Sequence, residues 1–182
     1  MIYSQQELSQ FNSAAEGNNG SRSKLSISTE YLGSKIAYLS ISHFTKTTPQ
    51  EINNQLVRLI ETNQTNKLII DLRNNLGGVL DAGVEAADLF LKKGTIYSST
   101  GKTKESKRLI KASKTTPFKQ LSIVIMINKN TASSSEIFTA ALQENKRALV
   151  LGEKSFGKGT IQTIFSMRSG AGIKITTSEY FT

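Results

Sequence analysis

Hydrophobic residues recur along this chain with two different spacings, and the spacings take turns. Residues 35–41, KIAYLSI, switch between apolar and polar at each step, the period of a strand with one buried face. Thr48-Pro49-Gln50-Glu51 then reads as a helix start, with a capping hydroxyl and a proline at the first helical position. Ile52, Leu56, Leu59 and Ile60 give that helix an apolar stripe to about Thr62. Residues 67–72, KLIIDL, form a short continuous apolar run, expected as a strand buried on both faces. The loop RNNLGG leads into a helix over about 79–91, with Leu80, Val84, Ala87 and Phe90 inward. Two short strands near 95–98 and 107–111 make a hairpin. Residues 121–127, LSIVIMI, are another buried strand, followed by a helix over about 134–146. Strands at 148–152, 160–165 and 173–181 close the chain. This alternation predicts an α/β layered core with mostly parallel central strands and flanking helices.

Composition narrows the picture only a little. A chain of 182 residues is a single-domain length that can bury a core without staples. There is no cysteine, which removes a disulfide framework, a thiol nucleophile and a thiolate metal site. No apolar run approaches the roughly 18 residues of a membrane span, so no integral membrane segment is expected here. The start, MIYSQQELSQFNSAAEG, has no basic head before an apolar run, and no signal peptide is visible. Net charge is +9, and residues 92–119 hold most of it, with nine Lys or Arg against the single acid Glu105. Such a patch is a footprint for nucleic acid or another anionic surface. Only Tyr97 and Phe118 offer stacking rings there and no nucleic-acid motif appears, so the expectation is a solvated basic hairpin and no nucleic-acid partner.

The stretch GEKSFGKGT, residues 152–160, brings chemistry in. Gly152, Gly157 and Lys158 match most of a phosphate-cradling P-loop, yet that loop needs Ser or Thr after the lysine to bind magnesium. Gly159 stands there, and the following TIQTIF reads as a strand where a P-loop opens a helix. The other reading makes Lys158 a base. Upstream, the strand IVIMI runs through Thr131-Ala132-Ser133-Ser134-Ser135-Glu136 into a helix. A serine on such a turn is placed to attack, and unpaired N–H groups of the first turn can hold an oxyanion. The same Ser133-x-x-Glu136 is also a capping box, which by itself needs no catalysis. In Arg73-Asn74-Asn75-Leu76-Gly77-Gly78, paired glycines let the backbone approach a ligand closely, or simply turn a strand into a helix. Arg73 has the chemistry to pair with a carboxylate or with carbonyls. His43 is the only histidine, and no acid near it would orient the ring. A lysine base must be neutral, which means lowering its pKa from about 10.4 to 7 or 8, roughly 4 kcal/mol of desolvation or charge repulsion. Lys158, set between Phe156 and the apolar strand 161–165, is the lysine whose context suits that task.

The run SEIFTAALQENKRALVLGEKSFGKGTIQT, with LIIDLRNNLGG before it and KITTSEYFT after it, closely resembles the C-terminal processing peptidases, or tail-specific proteases. The likeness covers residues 35–182 nearly without gaps. It implies a ClpP/crotonase-like core and a serine endopeptidase cutting proteins or peptides near their C-termini through an acyl-enzyme. It implies Ser133 as nucleophile, the middle position of a Ser-x-Ser-x-Ser-Glu run whose first place is Thr131 here. Lys158, 25 positions on, is then the base and Gln162, four further, its orienter. Gly77, Gly78 and the N–H of Ser134 become the oxyanion donors. No metal or cofactor is implied. The resemblance also implies an extracytoplasmic setting for the full-length protein, and it leaves assembly into a homo-oligomer open.

Residues 3–11 resemble the helical stretch that precedes the family's PDZ domain, but too few residues separate them from the strand at 35 to hold that domain. The expected organisation is an N-terminal helical segment and linker at 1–20, with its PDZ domain missing, then a catalytic core at 21–182, shorter at its end than in the family. Two rival readings stay open on the sequence: an inactive peptide-binding module of the same fold, and nucleic-acid binding through 92–119.

Overall fold

The computed structural model describes residues 2–3, 25–103, 106–113, 115–166 and 172–181. One five-stranded sheet is built from β2 (Ile27–Gly33), β3 (Ile36–Ile41), β4 (Lys67–Asp71), β7 (Ser122–Ile127) and β8 (Ala148–Gly152), adjacent in that order. The pairs β3–β4, β4–β7 and β7–β8 are parallel, as the alternation of strand and helix predicts; only β2 runs antiparallel to its neighbour. Leu39, Ile70, Ile125 and Val150 stand in one register row across the sheet. The first three are fully buried, each worth about 2 kcal/mol of hydrophobic stabilisation.

Among the described residues three helices complete the connections: α1 (Thr48–Asn63), α2 (Leu80–Asp88) and α3 (Ser134–Glu144). Phe44, Phe90, Phe118 and Phe138 form an aromatic cluster under them, with ring centroids 5.5–6.0 Å apart. A second, antiparallel sheet carries β1 (Ile2–Tyr3), β10 (Gly172–Phe181), β5 (Thr95–Gly101) and β6 (Arg108–Lys111), with β9 (Thr160–Ser166) also on β10. Hairpin β5–β6 is the basic segment; its Lys104, Glu105 and Lys114 lie outside the described residues.

Several local expectations need correcting. The cap of α1 is Thr47, with Thr48 inside the helix and Pro49 just after it. Thr48 is buried, and its Oγ1 accepts the Thr45 N–H (2.9 Å). Helix α2 ends at Asp88, and it packs through Ala82, Gly83, Ala86 and Ala87, while Leu80 and Val84 are only half-buried. A Cβ on Gly83 would stand 2.9 Å from the Ser134 Cβ, so the small residues let α2 press against the start of α3. Strand β4 is not buried on both faces, since Ile69 stays half-buried. Strands β1 and β2 had no expectation, and Tyr3 is in a strand; the remainder of the helical segment expected at 3–11 lies outside the described residues.

Parallel strands put their C-terminal ends on one edge, where open α/β sheets place their ligands. The loops after β4, β7 and β8 hold the glycine pair, the serine run and Lys158.

Candidate active site

The serine run is locked from beneath before it reaches the surface. Thr131 is fully buried; its Oγ1 donates to the Leu72 carbonyl (2.8 Å) and accepts the Asn128 N–H (3.0 Å). This ties the end of β4 to the loop after β7. Asn75, also fully buried, ties a third strand in. Its Nδ2 donates to the Ile41 carbonyl (2.8 Å), its Oδ1 accepts the Gly77 N–H (2.9 Å) and its carbonyl accepts the Ala132 N–H (3.0 Å).

Ser133 caps α3 with φ 58° and ψ −122°, a backbone conformation costing a non-glycine residue about 1–3 kcal/mol. Such strain persists only where the surroundings over-determine it, and here they do: the Ser133 N–H is held by Glu136 Oε2 (2.8 Å). Gly77, at φ 100°, lies so close that an added Cβ would stand 2.8 Å from the Ser133 Cβ. Gly78, at φ 144°, is packed on the Phe44 carbonyl, and a Cβ there would collide with it. Among the described residues, no hydrogen bond uses the N–H of Gly78 or of Ser134.

Glu136 does more than cap its helix. Beside the Ser133 N–H it accepts the Lys158 N–H (2.9 Å), the Gly157 N–H (2.6 Å) and the Ser155 hydroxyl (2.8 Å). One carboxylate thus fixes the backbone of the serine and of the lysine against each other. Tyr180 of β10 closes the arrangement, its hydroxyl donating to the Lys158 carbonyl and more weakly to that of Ser133 (3.5 Å). Burial and the Glu136 charge push the Tyr180 hydroxyl well above the usual phenol range, so it stays a donor. Sequence reasoning missed Tyr180 and gave Glu136 only its capping role. The signal for Glu136 was the capping box itself; Tyr180 had none, because its contact spans two loops distant in the chain.

Ser133, Lys158, Gln162, Gly78 and Tyr180 line one cavity of about 270 Å³. Gly77 is not on its wall, and its N–H is already taken by Asn75. No hydrogen bond joins Ser133 to the Lys158 amine or Gln162 to either; catalytic contacts are commonly long before substrate arrives. Phe156, expected to wall the lysine, is 68% exposed and contributes only its N–H, to the Thr131 carbonyl (2.9 Å). Gly157 takes φ 84°, which turns the chain toward the cavity. His43 is exposed, and among the described residues its ring is bonded only to Ser42 (3.0 Å), with no carboxylate to orient it. Of the two kinds of partner open to Arg73, a carboxylate or carbonyls, it takes a carboxylate, in a 2.6 Å pair with Asp71, which also accepts the Tyr38 hydroxyl (2.6 Å). Among the described residues no helix is long and apolar enough to cross a membrane.

Comparison with known proteins gives the family. Residues 35–182 match peptidase family S41. Over 150 residues the chain is 37% identical to the carboxyl-terminal-processing protease of Synechocystis sp., covering 82% of this chain and 34% of that protein. The chloroplastic carboxyl-terminal-processing peptidase 1 of Arabidopsis thaliana is 33% identical over 148 residues, 81% of this chain and 30% of that one. Among solved structures, a photosystem II D1 C-terminal processing protease superposes with a TM-score of 0.71 at 25% identity, covering 100% of this chain and 42% of that chain. The chain therefore spans about a third of the length of these curated relatives. With the cavity-lining residues all inside the matched stretch, the chain belongs to peptidase family S41, beside the carboxyl-terminal-processing proteases.

Proposed function

We propose that this chain is the catalytic part of a serine endopeptidase that cleaves protein or peptide substrates near their C-termini, with Ser133 as nucleophile and Lys158 as base. The observation that carries the reading is the shared cavity: Ser133, strained at the helix start, faces the same small space as Lys158 and Gln162. The neutral Lys158 amine takes the Ser133 proton as Oγ bonds to the substrate's carbonyl carbon. The resulting oxyanion is held by the N–H groups of Gly78 and Ser134. Gly77, whose N–H serves Asn75, shapes the loop instead. When the C–N bond breaks, the Lys158 ammonium gives its proton to the leaving amine, and an acyl-enzyme remains. Water then attacks the ester carbonyl, losing a proton to Lys158, which passes it to the Ser133 Oγ as the C–O bond breaks; the new carboxylic acid ionises in water. Gln162 orients the amine. A setting outside the cytoplasm and a domain plan of N-terminal segment plus core at 21–182 complete the reading.

The test is a fluorophosphonate label followed by proteolysis of an unfolded protein substrate. Wild type is expected to label at Ser133 and cleave, and Ser133→Ala to do neither. Lys158→Arg keeps the charge, but guanidinium does not deprotonate in this range; activity should fall as far as in Lys158→Ala. An arginine variant keeping more than about a tenth of the rate, roughly 1.4 kcal/mol, would end the base assignment. A folded chain that neither labels nor cleaves is a binding module.

A further inference from the structure

A second cavity, of about 390 Å³, adjoins the candidate active site and shares Leu80 and Ile161 with it. Its wall also carries Val79, Asp81, Tyr97 and Arg108. Residues 79–81 follow directly on Gly78, so this space lies beside the place where the attacked carbonyl would be held. We propose that it receives the side chain of the substrate residue supplying that carbonyl, and that it selects a neutral side chain ending in an amide. The inference rests on Ser133 as the nucleophile.

Tyr97 points to a polar occupant. It is fully buried, and its hydroxyl has no partner among the described residues. Buried tyrosine hydroxyls usually find one, and phenylalanine would fill the same space without the cost. Arg108 and Asp81 stand only 3.8 Å apart at the limit of an ion pair, both substantially exposed, and among the described residues neither side chain has another hydrogen bond or ion pair. Burial raises the pKa of the Tyr97 hydroxyl; the Arg108 charge opposes this and the Asp81 charge adds to it, and the net rise leaves the hydroxyl a proton donor. An amide matches this set. Its carbonyl accepts from Tyr97 or Arg108, its N–H donates to Asp81, and its methylenes lie on Val79, Leu80 and Ile161. A carboxylate would face Asp81, an ammonium would face Arg108, and an aliphatic chain would leave the hydroxyl unpaired.

Binding can be measured without turnover, on the Ser133→Ala chain, by fluorescence anisotropy with peptides that differ only at this position. The glutamine peptide is expected to bind about tenfold tighter than the norleucine or glutamate peptide, the scale of one hydrogen bond to a buried group. Tyr97→Phe should bring glutamine and norleucine within about twofold while leaving norleucine binding unchanged. It should not lower the melting temperature, since the hydroxyl lost has no partner. Equal binding of glutamine and norleucine, no measurable glutamine binding at millimolar peptide, a preference that survives Tyr97→Phe, or a Tyr97→Phe chain that melts lower would each overturn the subsite. Labelling and cleavage by the Ser133-intact chain are scored separately, so loss of the peptidase reading and loss of the subsite give different results.

Discussion

The loop that carries Ser133 and the loop that carries Lys158 leave adjacent strands of the same sheet, yet they are held by different means. Around the serine, Thr131 and Asn75 are fully buried and make side-chain hydrogen bonds to the backbone of three strand ends. Around the lysine, residues 153–157 are mostly exposed, and the loop is fastened chiefly by Glu136, Tyr180 and backbone bonds from Glu153 to Ile127 and from Phe156 to Thr131. Ser133, the proposed nucleophile, is therefore placed by the folding of the core. Lys158, the proposed base, is placed by a carboxylate belonging to the helix that Ser133 caps, which makes its position a consequence of the first.

The sharpest way to break this comparison is Glu136→Ala. Four donors lose their acceptor, three of them on the lysine loop. Cleavage should fall about a hundredfold or more, the penalty for misplacing a reacting group by an ångström. Amide exchange at Gly157 and Lys158 should rise while that of β7 stays protected. Near-wild-type cleavage with slow exchange would mean that the lysine loop is held in some other way.

Asn75→Ala attacks the opposite half. It strands the Gly77 N–H and the Ile41 carbonyl in the interior, a loss of about 3 kcal/mol. Here the effect should appear as a lower denaturation midpoint with an unchanged slope. A loss of activity without loss of stability would place Asn75 with the lysine side instead.

The smallest effect concerns Asp71, the outer anchor beside the glycine loop. Burial raises its carboxyl pKa, but hydrogen bonds from Arg73 and Tyr38 outweigh that and hold it below the usual carboxylate value. A depressed folded-state pKa gives stability that is present above the unfolded value, about 3.9, and lost as the pH falls through the folded one. Asp71→Asn should flatten that acid limb of the stability profile and change little at neutral pH. An unchanged limb would show that the half-exposed Arg73 pair contributes nothing there.

Period and spacing in the sequence determined the alternation of strands and helices, the parallel core, the hairpin at 95–111 and the positions of the three loops, because each follows from local pattern. The pairing of Arg73 with a carboxylate was legible for the same reason, as its partner is two residues away. The reach of Glu136 to Ser155, Gly157 and Lys158, that of Tyr180 across two loops and the hold of Asn75 on Ile41 and Ala132 were not. Each depends on which groups the sheet brings within about 3 Å of one another, the range of a hydrogen bond. Contacts of that kind join residues tens of positions apart, and only tertiary packing decides them.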